Sequence, residues 1–378
     1  MAGGGDLESA GGGNLAGGVG LVVAGLGAVG SSLIAGIEAA RHHLAHPFGS
    51  LVEGGGAGRS GDARPLRELA PLAPLHQLSL GAFELRDDDA HRAALRAGLL
   101  PRTLLDELKP TLRSVRAMAG ARQAPSRLHL AEALADDLRG FATHHGCARG
   151  VLLCTVPGPR ELPRRTLRSP EDIWRALEES ADEVTPGLVY AAAAARAGFA
   201  FVAAAPDASL SAPGLNGLFA QAGVPFAGCG LLGPEASLLL ALEQLAAAEG
   251  LTITSAASLS TRAAGASGFG GSERVQELAR SPSWAGGMLE LSFELRGPLA
   301  LHLAGRAFDA ALLADLALRA GATGAQTFLN SLFAAPLGTN DSAVKLHAQP
   351  MTASRRADLL AALPGLAAAA RARAAVAA

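Results

Sequence analysis

The segment Gly25-Leu26-Gly27-Ala28-Val29-Gly30 follows the apolar run Gly20-Leu21-Val22-Val23-Ala24 and opens into Ser31-Ser32-Leu33-Ile34-Ala35-Gly36-Ile37-Glu38. This order predicts a strand, a tight turn and a helix. In such a unit the first glycine permits the turn, the second lets a pyrophosphate approach the backbone, and the third brings helix and strand together. The N–H groups of the first helical turn then face the phosphates. In a chain of 378 residues with 47 glycines the string alone has little specificity. Its flanking periodicity leaves two alternatives: a dinucleotide site built by Gly25, Leu26, Gly27, Ala28, Val29, Gly30, Ser31 and Ser32, or a turn whose glycines serve only helix–sheet packing.

Other residues with chemical potential are scattered. Glu84 ends the strand candidate Gln77-Leu78-Ser79-Leu80-Gly81-Ala82-Phe83-Glu84-Leu85, where a carboxylate can accept hydrogen bonds from a ribose. Asp207 follows Pro206 at a strand end, a position that suits either a ligand contact or the N-cap of the next helix. His42, His43 and His46, and the pair His144-His145, have metal-like spacing but no acidic or cysteine partners nearby, so no metal site is expected. Cys147, Cys154 and Cys229 form neither a disulfide framework nor a ligand set and read as buried thiols. Lysine occurs only as Lys109 and Lys345.

The elements that must position these residues alternate. After the first helix come the strand near residue 80, a helical reading for residues 88–118, a helix over 128–144 and the apolar run Gly150-Val151-Leu152-Leu153-Cys154-Thr155. Helices over 170–181 and 186–198, a strand at 199–203, a helix over 212–222 and a strand at 224–228 continue the pattern, which predicts an α/β fold with a mainly parallel sheet. From 251 to 304 the pattern changes to alternating runs such as Leu251-Thr252-Ile253-Thr254 and Met288-Leu289-Glu290-Leu291-Ser292-Phe293-Glu294-Leu295, which predict a partly antiparallel insertion. Helices over 308–320 and 353–378, the latter broken at Pro364, close the chain.

Composition bounds the partners. A net charge of −2 without a basic, aromatic-interleaved stripe argues against nucleic acid and for small-molecule chemistry. Residues 1–20 carry glycine runs, Asp6 and Glu8, unlike a signal peptide, and read as a flexible tail. The most apolar long window, 188–205, is interrupted by Arg196 and Gly198 and falls short of a membrane span. A cytoplasmic location without a membrane partner is the expectation.

The order of motifs resembles the inositol-3-phosphate synthase family. The family's glycine loop followed by two serines resembles Gly25 to Ser32, and its Tyr-Gly-Ser-Leu segment resembles Phe48-Gly49-Ser50-Leu51. Its Gly-Gly-Trp-Asp-Ile strand end is similar to Gly81-Ala82-Phe83-Glu84-Leu85, with the acid one methylene longer. Leu108-Lys109-Pro110, Thr185-Pro186-Gly187-Leu188-Val189-Tyr190-Ala191, Gly198-Phe199-Ala200-Phe201-Val202 and Ala304-Gly305-Arg306-Ala307-Phe308-Asp309-Ala310 follow in the family's order.

The resemblance implies a Rossmann-type doubly wound parallel sheet with an inserted mixed α+β catalytic and oligomerisation domain. Its division would be a tail at 1–20, an NAD-binding domain at 21–205, a mixed sheet domain at 206–305, and helices at 306–378 returning to the first domain. It implies NAD as cofactor, with Thr155 joining Glu84 and the glycine loop around it. A sugar-phosphate or polyol substrate and a homo-oligomer, a tetramer in the family, are implied too. The implied reaction is ring closure of glucose 6-phosphate to inositol phosphate through ketone, enolate and aldol steps, which need fixed positive charge.

The family supplies that charge from lysines in a Gly-Asp-Asp-x-Lys-Ser-Gly-Gln-Thr stretch and a Lys-Ser/Ala-Pro stretch. Here the first resembles Gly228-Cys229-Gly230-Leu231-Leu232-Gly233-Pro234-Glu235-Ala236, with Leu232 at the lysine position, and the second resembles Phe333-Ala334-Ala335-Pro336, with Ala334 there. The Asn-Thr-Glu loop corresponds to Thr155-Val156-Pro157-Gly158-Pro159, and the Gly-Asn-Asn-Asp-Gly loop to Ser260-Thr261-Arg262-Ala263-Ala264. The acid before the late Ala-Gly helix is also absent. Candidate replacements are Arg274, near a further family lysine and either a phosphate clamp or a solvated charge, Lys345, just past a lost lysine, and Asp207. A guanidinium cannot act as a neutral base at physiological pH. Three functions are compatible with this pattern: a sugar-phosphate isomerase, a non-catalytic NAD-binding subunit, or an NAD-dependent oxidoreductase acting on another polyol.

Overall fold

The computed structural model describes residues 17–54, 64–159, 161, 167–234, 242–243, 245–262, 273–334 and 353–377. Its strands are β1 (Gly18–Ala24), β2 (Leu78–Glu84), β3 (Ala117–Ala119), β4 (Cys147–Cys154), β5 (Ala200–Ala203), β6 (Pro225–Ala227), β7 (Ser255–Arg262), β8 (Glu273–Pro282), β9 (Met288–Gly297) and β10 (Gly324–Ala325). Seven of them pair in parallel in the order β3-β2-β1-β4-β5-β6-β10. The order reverses between β1 and β4, which makes the ends of those strands the switch point where a doubly wound sheet opens a crevice.

Strand alternation divides the core between the two faces. Val19, Leu21 and Val23 of β1 and Val151 and Leu153 of β4 enter one apolar cluster, while Val22, Ala24, Leu152 and Cys154 enter the other. Both sets are buried, as parallel strands covered on two sides require. The first cluster is closed by α1 (Ala28–Arg41), the second by α2 (Arg127–His144) and α3 (Pro186–Ala197). The α4 helix (Leu299–Arg319) returns the chain to the α1 face, and α5 (Ala353–Ala377) packs Leu359, Leu363, Ala367 and Ala370 into the same cluster. The landmark Tyr190 of α3 is a strut: its hydroxyl donates to Gly120 O at 3.0 Å, just past β3.

Several boundaries differ from the sequence expectation. Residues 88–118 are not one helix: Gly98, at φ 65°, ends a helix at Ala90–Ala97, Pro101 caps the next, and β3 follows. The α4 helix begins at Leu299 rather than near 308, β7 begins at Ser255 rather than at Leu251, and β1 begins at Gly18, inside the stretch read as tail. Pro364 lies within α5 without ending it. It sits on the exposed side, where water can satisfy the carbonyl that its missing N–H leaves unbonded. The stretch Ala357–Val376 of α5 is long and apolar enough to cross a membrane by length and composition, a feature the sequence expectation did not include.

The changed pattern after residue 251 forms a separate antiparallel sheet in the order β7-β8-β9. Val275 and Ala279 of β8 are buried, whereas Leu259, Met288, Leu289 and Trp284 are exposed.

A buried carboxylate ties α4 to the loop after α1. Asp309 accepts from Ser50 Oγ at 2.5 Å, from Leu51 N at 2.7 Å and from Val52 N at 3.1 Å. Burial raises its pKa to about 6 despite these bonds, which favour the charged form. The folded pKa therefore exceeds the unfolded one, so the native state binds the extra proton and the associated stability is present at low pH and lost as pH rises through about 6. Relative to an Asp309→Asn variant, the wild-type chain is expected to lose about 3 kcal/mol between about pH 3 and about pH 7 in denaturant titrations. Parallel stability curves for the two proteins would contradict this assignment.

Candidate functional site

The glycine loop joins the end of β1 to α1 at the switch point. Gly25 sits at φ 94°, a left-handed conformation that suits glycine, and donates its N–H to Phe83 O of β2 at 2.9 Å. A Cβ on Gly30 would lie 2.2 Å from Gly25 O and 2.9 Å from Val23 Cγ1, so only hydrogen fits where helix and strand meet. Gly27 is different: it is exposed, and a Cβ there would have nothing within 4 Å. Gly27 is also the N-cap of α1, with no side-chain cap bond, so the first turn's N–H groups are presented beside open space.

Two more predicted residues converge on this loop. Glu84 Oε2 accepts from Leu26 N at 2.8 Å, and Oε1 accepts from Leu85 N at 2.8 Å. Thr155, at the end of β4, donates from Oγ1 to Gly25 O at 2.8 Å and from its N–H to Ala24 O at 2.9 Å. Ala28 and Val29 are half-buried in the first turn. Ser31 and Ser32 are buried, and Ser31 Oγ turns back to donate to Gly27 O at 2.7 Å, so its hydroxyl serves the helix start.

The segment after β6 and the residues before 335 form an apolar pair. The two stretches that resemble the family's lysine segments lie against each other: Leu231 and Phe333 form an antiparallel bridge. Leu232 N donates to Leu332 O at 2.8 Å, and Ala334 N donates to Gly230 O at 2.8 Å. Phe333 is fully buried, and Cys229 and Leu232 are nearly so. Gly230 N and Leu231 N donate to Ala203 O and Ala204 O, which fixes the pair at the end of β5. Burial raises the Cys229 thiol's pKa and lifts that of Cys154 to about 12, so both remain protonated at neutral pH.

Asp207 is buried and caps the short turn Ala208–Ser211: Thr185 Oγ1 donates to Oδ2 at 2.6 Å, while Ser209 N and Oγ donate to Oδ1 at 2.9 and 2.8 Å. Of its two sequence alternatives, this is the N-cap. Arg274 is on β8, exposed, and ion-paired with Glu294 of β9 at 2.5 Å. Lys109 is exposed at the start of a short helix. Lys345, Ala335, Pro336, Glu235, Ala236 and tail residues 1–16 lie outside the described residues. Among the described residues no cluster of three or more potential metal ligands occurs.

Sequence reasoning missed the clamp made by Asp309 and a neighbouring cavity of about 220 Å³ lined by Phe48, Gly49, Leu51, His302 and Arg306. The available signal was the i, i+4 spacing of His302 and Arg306, which puts both on one face of α4.

The family model described as myo-inositol-1-phosphate synthase matches residues 19–352. The chain belongs to the myo-inositol-1-phosphate synthase family. Inositol-3-phosphate synthase 1 of Bacteroides thetaiotaomicron is 26% identical over 228 residues, covering 56% of this chain and 53% of that protein. The match thus spans about half the length of that curated relative. Among solved structures, inositol-3-phosphate synthase from Caenorhabditis elegans shares the fold at TM-score 0.79 and 16% identity, over 93% of this chain and 86% of that one. A myo-inositol-1-phosphate synthase-related protein from Thermotoga maritima gives 0.63 and 17%, over 84% and 93%. The family model carries an NAD-binding designation, and NAD binding is a property of the family.

The two loop glycines differ in their surroundings, one packed and one open. Gly30→Ala is expected to destabilise the fold by about 1–3 kcal/mol through overpacking against Gly25 O. Gly27→Asn, which keeps a good N-cap, should leave the melting temperature nearly unchanged, and under the proposed function should weaken dinucleotide binding at least about tenfold, because its side chain enters the open space beside the start of α1. Equal effects of the two variants on stability, measured by thermal unfolding, would contradict this division.

Proposed function

We propose that this protein is an NAD-holding member of its family in which the charged centre for ring closure has been replaced by an apolar one. The carrying observation is the Leu231–Phe333 bridge, which joins the two segments that resemble the family's lysine stretches, with Leu232 and Ala334 where the resemblance would put lysine. Losing one oxyanion donor typically costs about 10²- to 10³-fold in rate. Loss of two cations and of the polar loops near Thr155 and Ser260 therefore leaves little of the parent turnover.

The residues at the switch point fit the cofactor. The N–H groups of Gly27, Ala28 and Val29 would hold the pyrophosphate at the start of α1, and open space at Gly27 admits it. Glu84 would exchange its bond with Leu26 N for a ribose hydroxyl, and Thr155 would keep the Gly25 turn in place. NAD supplies a hydride acceptor that becomes a donor once reduced. Around the reacting end this chain contributes water-excluding side chains, Leu232, Cys229 and Phe333, rather than a proton carrier.

A second reading, hydride transfer to and from a less polar polyol without aldol closure, is favoured by that same apolar lining. The exposed apolar residues Leu259, Met288 and Leu289 of the second sheet support a homo-oligomer, a tetramer by family resemblance.

Purified protein should release NAD on denaturation, near one per chain. With glucose 6-phosphate and NAD it should form inositol phosphate at least about 10³-fold below the ordinary enzymatic range of about 1–10³ s⁻¹. Product within that range, or a chain without affinity for the dinucleotide, would overturn the proposal. Accumulation of NADH with other polyols would select the second reading.

A further inference from the structure

The two sheets of this chain end differently. The parallel sheet is bordered by β3 and β10, strands of three and two residues, and edges this short resist pairing with another chain. The antiparallel sheet is bordered by β9, which runs for ten residues, pairs with β8 without a bulge, and carries neither lysine nor proline. Among the described residues its outer side meets no other strand. At the opposite edge β7 reads Ser-Ala-Ala-Ser-Leu-Ser-Thr-Arg and has one leucine to bury.

Alternation sorts β9 by face. Leu291 and Leu295 stand opposite the buried Ala279 and Val275 of β8, and Phe293 lies between them on the same face. All three are only half-buried. Glu290, Ser292, Glu294 and Arg296 are on the other face and exposed. A strand with an apolar row and an open backbone edge satisfies both by pairing with its own copy, because antiparallel pairing about a two-fold axis keeps the two apolar rows on one side.

Charge decides where that axis falls. With Phe293 on the axis, Phe293 faces its copy, Leu291 faces Leu295, Ser292 faces Glu294, and Glu290 faces Arg296. Moving the axis to residue 292 sets Glu290 against Glu294, and moving it to residue 294 sets Glu294 against itself; like charges directly opposite destabilise a sheet. An axis between two residues would oppose the apolar row to the polar one. The facing groups have capacity left. Arg296 gives Nε to Glu294, while its two terminal nitrogens have no partner among the described residues, and Glu290 accepts from Arg280 through Oε2 alone. Leu289, 42% exposed, would face Gly297, where a Cβ would have nothing within 4 Å.

We propose that two copies of this chain join β9 to β9, antiparallel and with Phe293 on the two-fold axis, into one continuous sheet. The pairing rests on the homo-oligomer reading above and gives it a defined contact. Backbone bonds and the joined apolar rows hold the copies together, and the exposed Glu290–Arg296 pairs chiefly set the register.

Sedimentation of the full-length protein and its β9 variants tests it. Arg296→Glu and Glu290→Arg, both at exposed positions, should each raise the dissociation constant between copies at least about tenfold with little change in melting temperature, and the double variant should restore association. Chains carrying Ser292→Cys co-expressed with chains carrying Glu294→Cys should form a disulfide between copies on mild oxidation, and either variant alone should not, because only residues 292 and 294 of different copies face each other.

A chain that sediments as a monomer at its highest soluble concentration would overturn the homo-oligomer reading and this pairing with it. An oligomer would leave that reading standing but overturn the pairing if neither single charge swap weakens it, if the double variant fails to restore association, or if the mixed cysteine chains do not cross-link.

Discussion

Helix α1 starts against the end of β1 at a separation that leaves residue 30 room for hydrogen alone. That contact sets much else. It forces the left-handed turn at Gly25, which Thr155 holds from β4 and Phe83 O from β2, and it directs the first turn of α1 over the switch point. Glu84 fastens the same turn from the neighbouring strand through Leu26 N. Two neighbouring strands thus hold three residues of backbone, Ala24 to Leu26, and beside them Gly27 has nothing in front of it.

Beyond the ends of β5 and β6 the physics is opposite in kind. The ends of β5 and β6 and the segment before residue 335 are joined by backbone hydrogen bonds and by Leu231, Leu232 and Phe333, with Cys229 adding a protonated thiol. Such a surface excludes water and strengthens electrostatic effects nearby, yet it brings no cation of its own. Under the proposed function the open helix start would take the charged centre of the cofactor and this apolar pair its neutral reacting end.

The glycine loop was legible because each glycine acts locally, on its own turn or on the strand next to it. Glu84 and Thr155 were legible as strand-end residues on neighbouring strands of a parallel sheet. The scarcity of lysine was visible as composition, but the pairing of residues 230–232 with 332–334 joins segments about a hundred positions apart and carries no local signal. The clamp between Ser50 and Asp309 spans 259 positions, and each half resembled a family landmark while their partnership stayed hidden. β3 and β10, of three and two residues, are too short for periodicity to show. The start of α4 was placed too late because Leu299 to Arg306 carries no capping residue, only Pro298 before it.

The proposed function combines a retained nucleotide cradle with a neutralised reaction centre. A crystal structure of the full-length protein with NAD tests both halves at once. The account predicts a pyrophosphate over Gly27 at the start of α1 and a nicotinamide ring among Cys229, Leu232 and Phe333 with no ammonium group beside it. The Lys345 ammonium against the nicotinamide, or a first turn of α1 without bound diphosphate, would contradict it.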